Sequence, residues 1–118
     1  MDSRRTLLDR LKHSNEVNIT VTGRRTKKKF STPVWFVLDR EKVILVPMKG
    51  SDNEWFKDLI KEPQIELGVD DTAIPFKATL VRDSARVKKV LDGFRAKYKS
   101  MWSESYYTKR DVYVEVPV

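Results

Sequence analysis

The chain has 118 residues, 40% of them hydrophobic and 35% charged, with no cysteine and a net charge of +7. That length suits one domain with its own core, which argues against global disorder, and the missing thiols exclude disulfides, thiolate metal sites and cysteine nucleophiles. The basic balance calls for an anionic partner, but a polyanion and a phosphorylated metabolite answer to the same field.

The first segment, DSRRTLLDRLK, opens on the capping residues Asp2 and Ser3 and spaces Leu7, Leu8 and Leu11 for a short helix within residues 1–16. VNITV follows as a strand with Val17, Ile19 and Val21 on one face. Gly23 breaks it, and five of the six residues from Arg24 to Lys29 are basic. Such a turn could grip a nucleic acid, hold a phosphate or stand in water. Alternation sends Lys28 and Lys29 to opposite faces, so one or two of these charges at most could serve a groove and most are expected to be solvated.

KFSTPVWFVL resumes as a second strand in which Pro33 marks an edge or a bulge, and VILVPM is a third, apolar on both faces. SDNEWFKDLIKEP reads as a helix with Ser51 and Glu54 at capping-box spacing and a stop at Pro63. IELGV and AIPFKATLV are strands four and five. DSARVKKVLDGFRAKY carries Val87, Val90, Leu91, Phe94 and Tyr98 as one helical stripe. DVYVEVPV closes the chain with Val112, Val114 and Val116 alternating against Asp111, Tyr113 and Glu115. The whole of 1–118 is expected to be a single domain, mainly β in an α+β sense: a six-stranded antiparallel barrel with two or three short helices packed outside.

Catalytic side chains are scarce. His13 is the one histidine and sits near a helix end, Asp70 and Asp71 suit a turn, and no HExxH or Walker loop occurs. No catalytic set and no metal site is expected, so any redox chemistry would come from a bound cofactor. VPMKGSDNEWF is more informative: a buried strand ends, Lys49 and Gly50 follow, and a helix starts beside Ser51. Free amides, a hydroxyl and an ammonium there could seat an anion, although an ordinary strand-to-helix loop has the same parts. No apolar run approaches a membrane span, and the N-terminal residues lack a signal-peptide core, so a cytoplasmic protein is expected.

The ordered motifs TGRRT, TPVWF, MKGS and WFKDLIKEP resemble those of the deazaflavin-dependent nitroreductase-like proteins, from about Val17 to Val118. These belong to the flavin-binding split β-barrel group related to pyridoxamine-phosphate oxidase. The resemblance implies a split β-barrel holding FMN or a deazaflavin coenzyme across its second and third strands. Lys49, Gly50 and Ser51 match the phosphate side, with Met48 before them. Thr32, Pro33, Val34 and Trp35 match the strand under the ring, Trp55 matches the tryptophan of the following helix, and Lys29 could add a charge. Trp102, Tyr106 and Tyr107 are expected on the substrate side. Asp58 stands where the family commonly has asparagine. The implied function is an oxidoreductase, as a homodimer, whose cofactor carries hydride or electrons. The alternative is a cofactor-free barrel that binds an anionic ligand or, weakly and without sequence preference, nucleic acid.

Overall fold

The computed structural model describes residues 3–103 and 105–118. They form helices α1 (Ser3–Leu11), α2 (Glu54–Lys61) and α3 (Ser84–Lys97). The strands are β1 (Val17–Thr22), β2 (Lys29–Val34), β3 (Phe36–Asp39), β4 (Lys42–Leu45), β5 (Gln64–Val69), β6 (Thr72–Lys77), β7 (Thr79–Val81) and β8 (Tyr113–Pro117). Of the two caps expected on α1, Ser3 begins the helix and Asp2 lies outside the described residues.

The strands, eight where six are expected, make two antiparallel four-stranded sheets, ordered β2-β1-β5-β6 and β3-β4-β8-β7. The difference arises inside two segments. KFSTPVWFVL is interrupted at Trp35 and AIPFKATLV at Ala78, and in each case the two halves pair in different sheets. Pro33, which has no amide hydrogen, precedes the first break. At the second, the Ala78 amide leaves the ladder to donate to the Pro63 carbonyl at 2.7 Å.

The core lies between the sheets, where alternation predicts it. Val17, Ile19 and Val21 are buried on β1, opposite Val34, Thr32 and Phe30 of β2. Val43 and Leu45, Ile65 and Leu67, and Val112, Val114 and Val116 complete the layer, with Leu7 and Leu11 of α1 and Phe56 and Leu59 of α2. A second cluster covers the outer face of the other sheet. There Ile44, Val46 and Tyr113 meet Val87, Leu91, Phe94 and Tyr98. Tyr113, on the strand face opposite the valines, is 2% exposed because α3 packs over it. Among the described residues no helix is long and apolar enough to cross a membrane.

α2 begins later than its capping box suggests. Gly50–Asp52 form one 3-10 turn and Asn53 is the residue before the helix. Ser51, freed from capping, bonds elsewhere. The Arg24 end of the basic cluster is fixed to α2: the buried Asp58 carboxylate accepts from the Arg24 amide at 3.0 Å and from Nη1 at 2.8 Å, and Glu54 takes Nη2 at 3.1 Å. Asp58 thus supplies the negative charge that an asparagine would lack.

Candidate functional site

The joint between β2 and β3 shapes the site. Trp35 leaves both ladders and stacks on Tyr98, with ring centroids 4.2 Å apart and planes 4° from parallel. Tyr98 is held in turn by its hydroxyl, which accepts from the Phe36 amide at 3.0 Å and reaches the carbonyls of Asn15 at 2.7 Å and Phe36 at 2.8 Å. Lys97 donates to the same Phe36 carbonyl at 2.8 Å and sits 3.5 Å from the Phe36 ring centroid. Burial lowers the Lys97 ammonium to about 8 and raises the Tyr98 phenol to about 12. Tyr106 meets Trp35 edge-on, centroids 5.3 Å apart.

Beside this stack lies a cavity of about 380 Å³, a volume within the range of small-molecule sites. Thr32, Pro33, Val34 and Trp35 line one side, Met48 and Trp55 another, and Tyr106 and Tyr107 a third. Eight residues singled out in the sequence, from three separate segments, therefore share one cavity. Glu16, Val46 and Asn53 also line it. Nothing in the alternation of VILVPM distinguished Val46, and Glu16 and Asn53 sit in connections with no local signal. Burial holds the Tyr107 phenol protonated well above its ordinary range, so it can donate a hydrogen bond but is no base near neutral pH.

The other expected residues are placed differently. Lys49 is exposed, its amide donating to Asn53 Oδ1 at 3.2 Å; Met48 and Asn53 line the cavity and Lys49 does not. Gly50 has φ of 56°, and a Cβ there would collide with Asp111 Oδ1 and lie 2.7 Å from the Lys109 carbonyl. The Ser51 amide donates to Asp111 Oδ1 at 2.9 Å and its hydroxyl donates to Asp111 Oδ2. Burial works against charge on Asp111, but these two hydrogen bonds prevail and hold its carboxyl below the usual range. The amide and hydroxyl read as an anion seat thus already carry an internal carboxylate. Lys29 lies on the opposite face of β2 from Thr32 and pairs with Glu66 at 2.8 Å. Trp102 stacks on Tyr107, centroids 5.3 Å apart, behind the wall and outside the cavity lining.

A larger groove of about 500 Å³ runs between α3 and the outer sheet. Within it Glu115 takes Arg86 at 2.7 Å and Lys42 at 3.7 Å. It contains none of the residues singled out as site candidates. His13 is exposed in a shallow hollow beside Asp9 and Asp70 that shares no residue with the cavity. Among the described residues, no cluster of three metal-ligating side chains occurs.

The family model described as F420H(2)-dependent quinone reductase matches residues 2–118. Among solved structures, one described as an F420-H2 dependent reductase is similar at 20% identity and TM-score 0.61, covering 86% of this chain and 93% of that one. A candidate 5-nitroimidazole antibiotic resistance protein from Bacteroides thetaiotaomicron is 12% identical with TM-score 0.70, over 100% and 81%. A candidate pyridoxamine 5'-phosphate oxidase from Listeria innocua is 11% identical with TM-score 0.65, over 98% and 92%. At these identities the structures speak for a shared fold. No curated protein matches the chain by sequence.

Proposed function

The chain belongs to the F420H2-dependent quinone reductase family, and on that premise we propose that it is a deazaflavin-dependent oxidoreductase whose coenzyme ring lies in the cavity beside Trp35. The observation that carries this reading is the convergence of Thr32, Pro33, Val34, Trp35, Met48, Trp55, Tyr106 and Tyr107 on one cavity. A planar ring system suits such walls, because aromatic and aliphatic side chains bury it without leaving polar groups unpaired. Bound there, a deazaflavin would supply hydride transfer to a small acceptor such as a quinone.

The residues of the chain position and shield. Trp35, locked against Tyr98, offers a flat wall, and Tyr106 and Tyr107 close the acceptor side and keep water out. Lys49 supplies charge for the phosphate end, while Gly50 and Ser51 shape the loop that carries it. FMN is the second candidate for the same cavity. A homodimer is the proposed assembly; β2 ends its sheet with Phe30 40% exposed, a surface a second copy could cover. Nucleic acid is disfavoured because Arg10, Arg24, Lys29 and Arg86 are each paired with a carboxylate.

The test is direct. Protein mixed with reduced F420 and a soluble quinone should oxidise the coenzyme catalytically, followed by the return of its visible absorption, and Trp35→Ala should abolish saturable coenzyme binding. Coenzyme binding that Trp35→Ala leaves unchanged would remove the ring from this cavity.

A further inference from the structure

We propose that Glu16 sets the charge of the ring compounds that the cavity beside Trp35 admits: it is a specificity-determining residue that turns away acceptors bearing a negative group and favours neutral or cationic ones. The inference rests on the reading of that cavity as the ring and acceptor site, and adds to it the electrical character of the acceptor.

Three observations carry it. Glu16 lines the cavity, and every other side chain on the cavity wall is uncharged. The turn that carries Glu16 is tied down twice. The Ser14 hydroxyl donates to the Glu16 carbonyl at 2.6 Å and accepts from its amide at 3.3 Å. The Tyr98 hydroxyl, on the ring that stacks on Trp35, lies 2.7 Å from the Asn15 carbonyl. These bonds use the backbone of Glu16, and among the described residues its carboxylate forms no ion pair. Its charge is also felt at the stack: burial is the larger cause of the raised Tyr98 phenol, and Glu16 adds to it. An aromatic pocket thus carries a single carboxylate without a counter-ion, on a turn locked to the ring that holds Trp35. An entering ring with an acid group meets repulsion there, a neutral quinone meets none, and a cationic ring is attracted.

The experiment compares three anthraquinones that differ only in the group at position 2: hydroxymethyl, sulfonate and trimethylammoniomethyl, with charges of 0, −1 and +1. Affinities are read from quenching of tryptophan fluorescence, since Trp35 and Trp55 line the cavity, and each is referred to wild type with the same ligand. Two unit charges about 6 Å apart in a water-like dielectric change affinity about threefold. Glu16→Gln should therefore leave the hydroxymethyl compound unchanged, tighten the sulfonate about threefold and weaken the ammonium compound about threefold. Glu16→Lys should double the change in charge and move the two ions about tenfold in the same opposite directions. Both variants keep the backbone bonds of the turn, so the test does not hang on a lost fold. Salt near 1 M, where the screening length falls to about 3 Å, should erase the order. A side chain that only shaped the turn would move all three ligands together, and that result, or no change for either ion, would overturn the assignment. If the hydroxymethyl compound does not bind wild type, the cavity takes no ring and both readings fail. Turnover with reduced F420 and a soluble quinone is followed in parallel. The charge order without turnover overturns the oxidoreductase reading alone, and turnover without the charge order overturns the role of Glu16 alone.

Discussion

Tyr98→Phe isolates the hydroxyl that holds the corner of the site. The residue is 1% exposed, and the phenylalanine ring would keep the stack on Trp35. What is lost is the acceptor for the buried Phe36 amide at 3.0 Å and a donor to the Asn15 or Phe36 carbonyl. The Phe36 carbonyl keeps Lys97 at 2.8 Å, so the main loss is one orphaned buried amide, about 1–3 kcal/mol. A central value of about 2 kcal/mol corresponds to a fall of roughly 8 °C in Tm for a domain of this size. Urea and thermal unfolding followed by circular dichroism read it. A second arm uses pH. Burial raises the Tyr98 phenol from 10.0 to about 12, so the fold holds the neutral form. That stability is fully present below pH 10 and lost as pH rises through about 12. Its upper limit is about 2.7 kcal/mol for two units. The gap between wild type and Tyr98→Phe should therefore narrow from pH 10 to 12. A variant within about 0.5 kcal/mol of wild type, or a gap that stays constant over that range, would refute the reasoning.

Gly50→Ala should destabilise by about 1–3 kcal/mol, since φ of 56° and the crowding by Asp111 both oppose a Cβ; chemical denaturation measures it. Lys49→Ala should weaken binding of the coenzyme by about 1.5–3 kcal/mol and Lys27→Ala by much less, and calorimetric titrations showing equal losses would make the attraction diffuse. Lys97, with an amine near 8, should acylate ahead of the solvated lysines at mildly alkaline pH, read by peptide mass spectrometry; uniform labelling would contradict the desolvation of its ammonium against the Phe36 ring. Because its folded value lies below the ordinary one, its contribution to stability rises with pH from about 8 to 10.5. Short oligonucleotides should bind only near ~10⁻⁴ M and release with salt, and micromolar, sequence-independent affinity would revive the nucleic-acid reading.

Most of this architecture is written locally. Val17, Ile19 and Val21 announce β1 by alternation, and the stripe from Val87 to Tyr98 announces α3. The walls of the cavity were legible only through motif order, because TPVWF, MKGS and WFKDLIKEP carry no sign by themselves of facing one another. What stayed hidden depends on partners distant in the chain. Tyr98 reads as one more apolar position of a helix, yet its hydroxyl works on a residue 62 positions away. Ser51 has the right spacing for a cap, but Asp111, 60 positions on, competes for its hydroxyl and wins. Lys29 could have served the groove or the outer face, and Glu66 on β5 decided for the outer face. The breaks at Trp35 and Ala78 are also tertiary, since each half-strand is a good strand and only the second sheet reveals the change of partner.

Those two breaks make Trp35 and Ala78 single-residue joints through which each sheet hands a strand to the other. A sheet that shares covalent strands at both ends cannot peel away alone, for its opening pulls on the ladder of its neighbour. Amide exchange should therefore run through one common opening: the β1 amides from Val17 to Thr22 and the β8 amides from Tyr113 to Val116 should show the same opening free energy, although the two strands belong to different sheets.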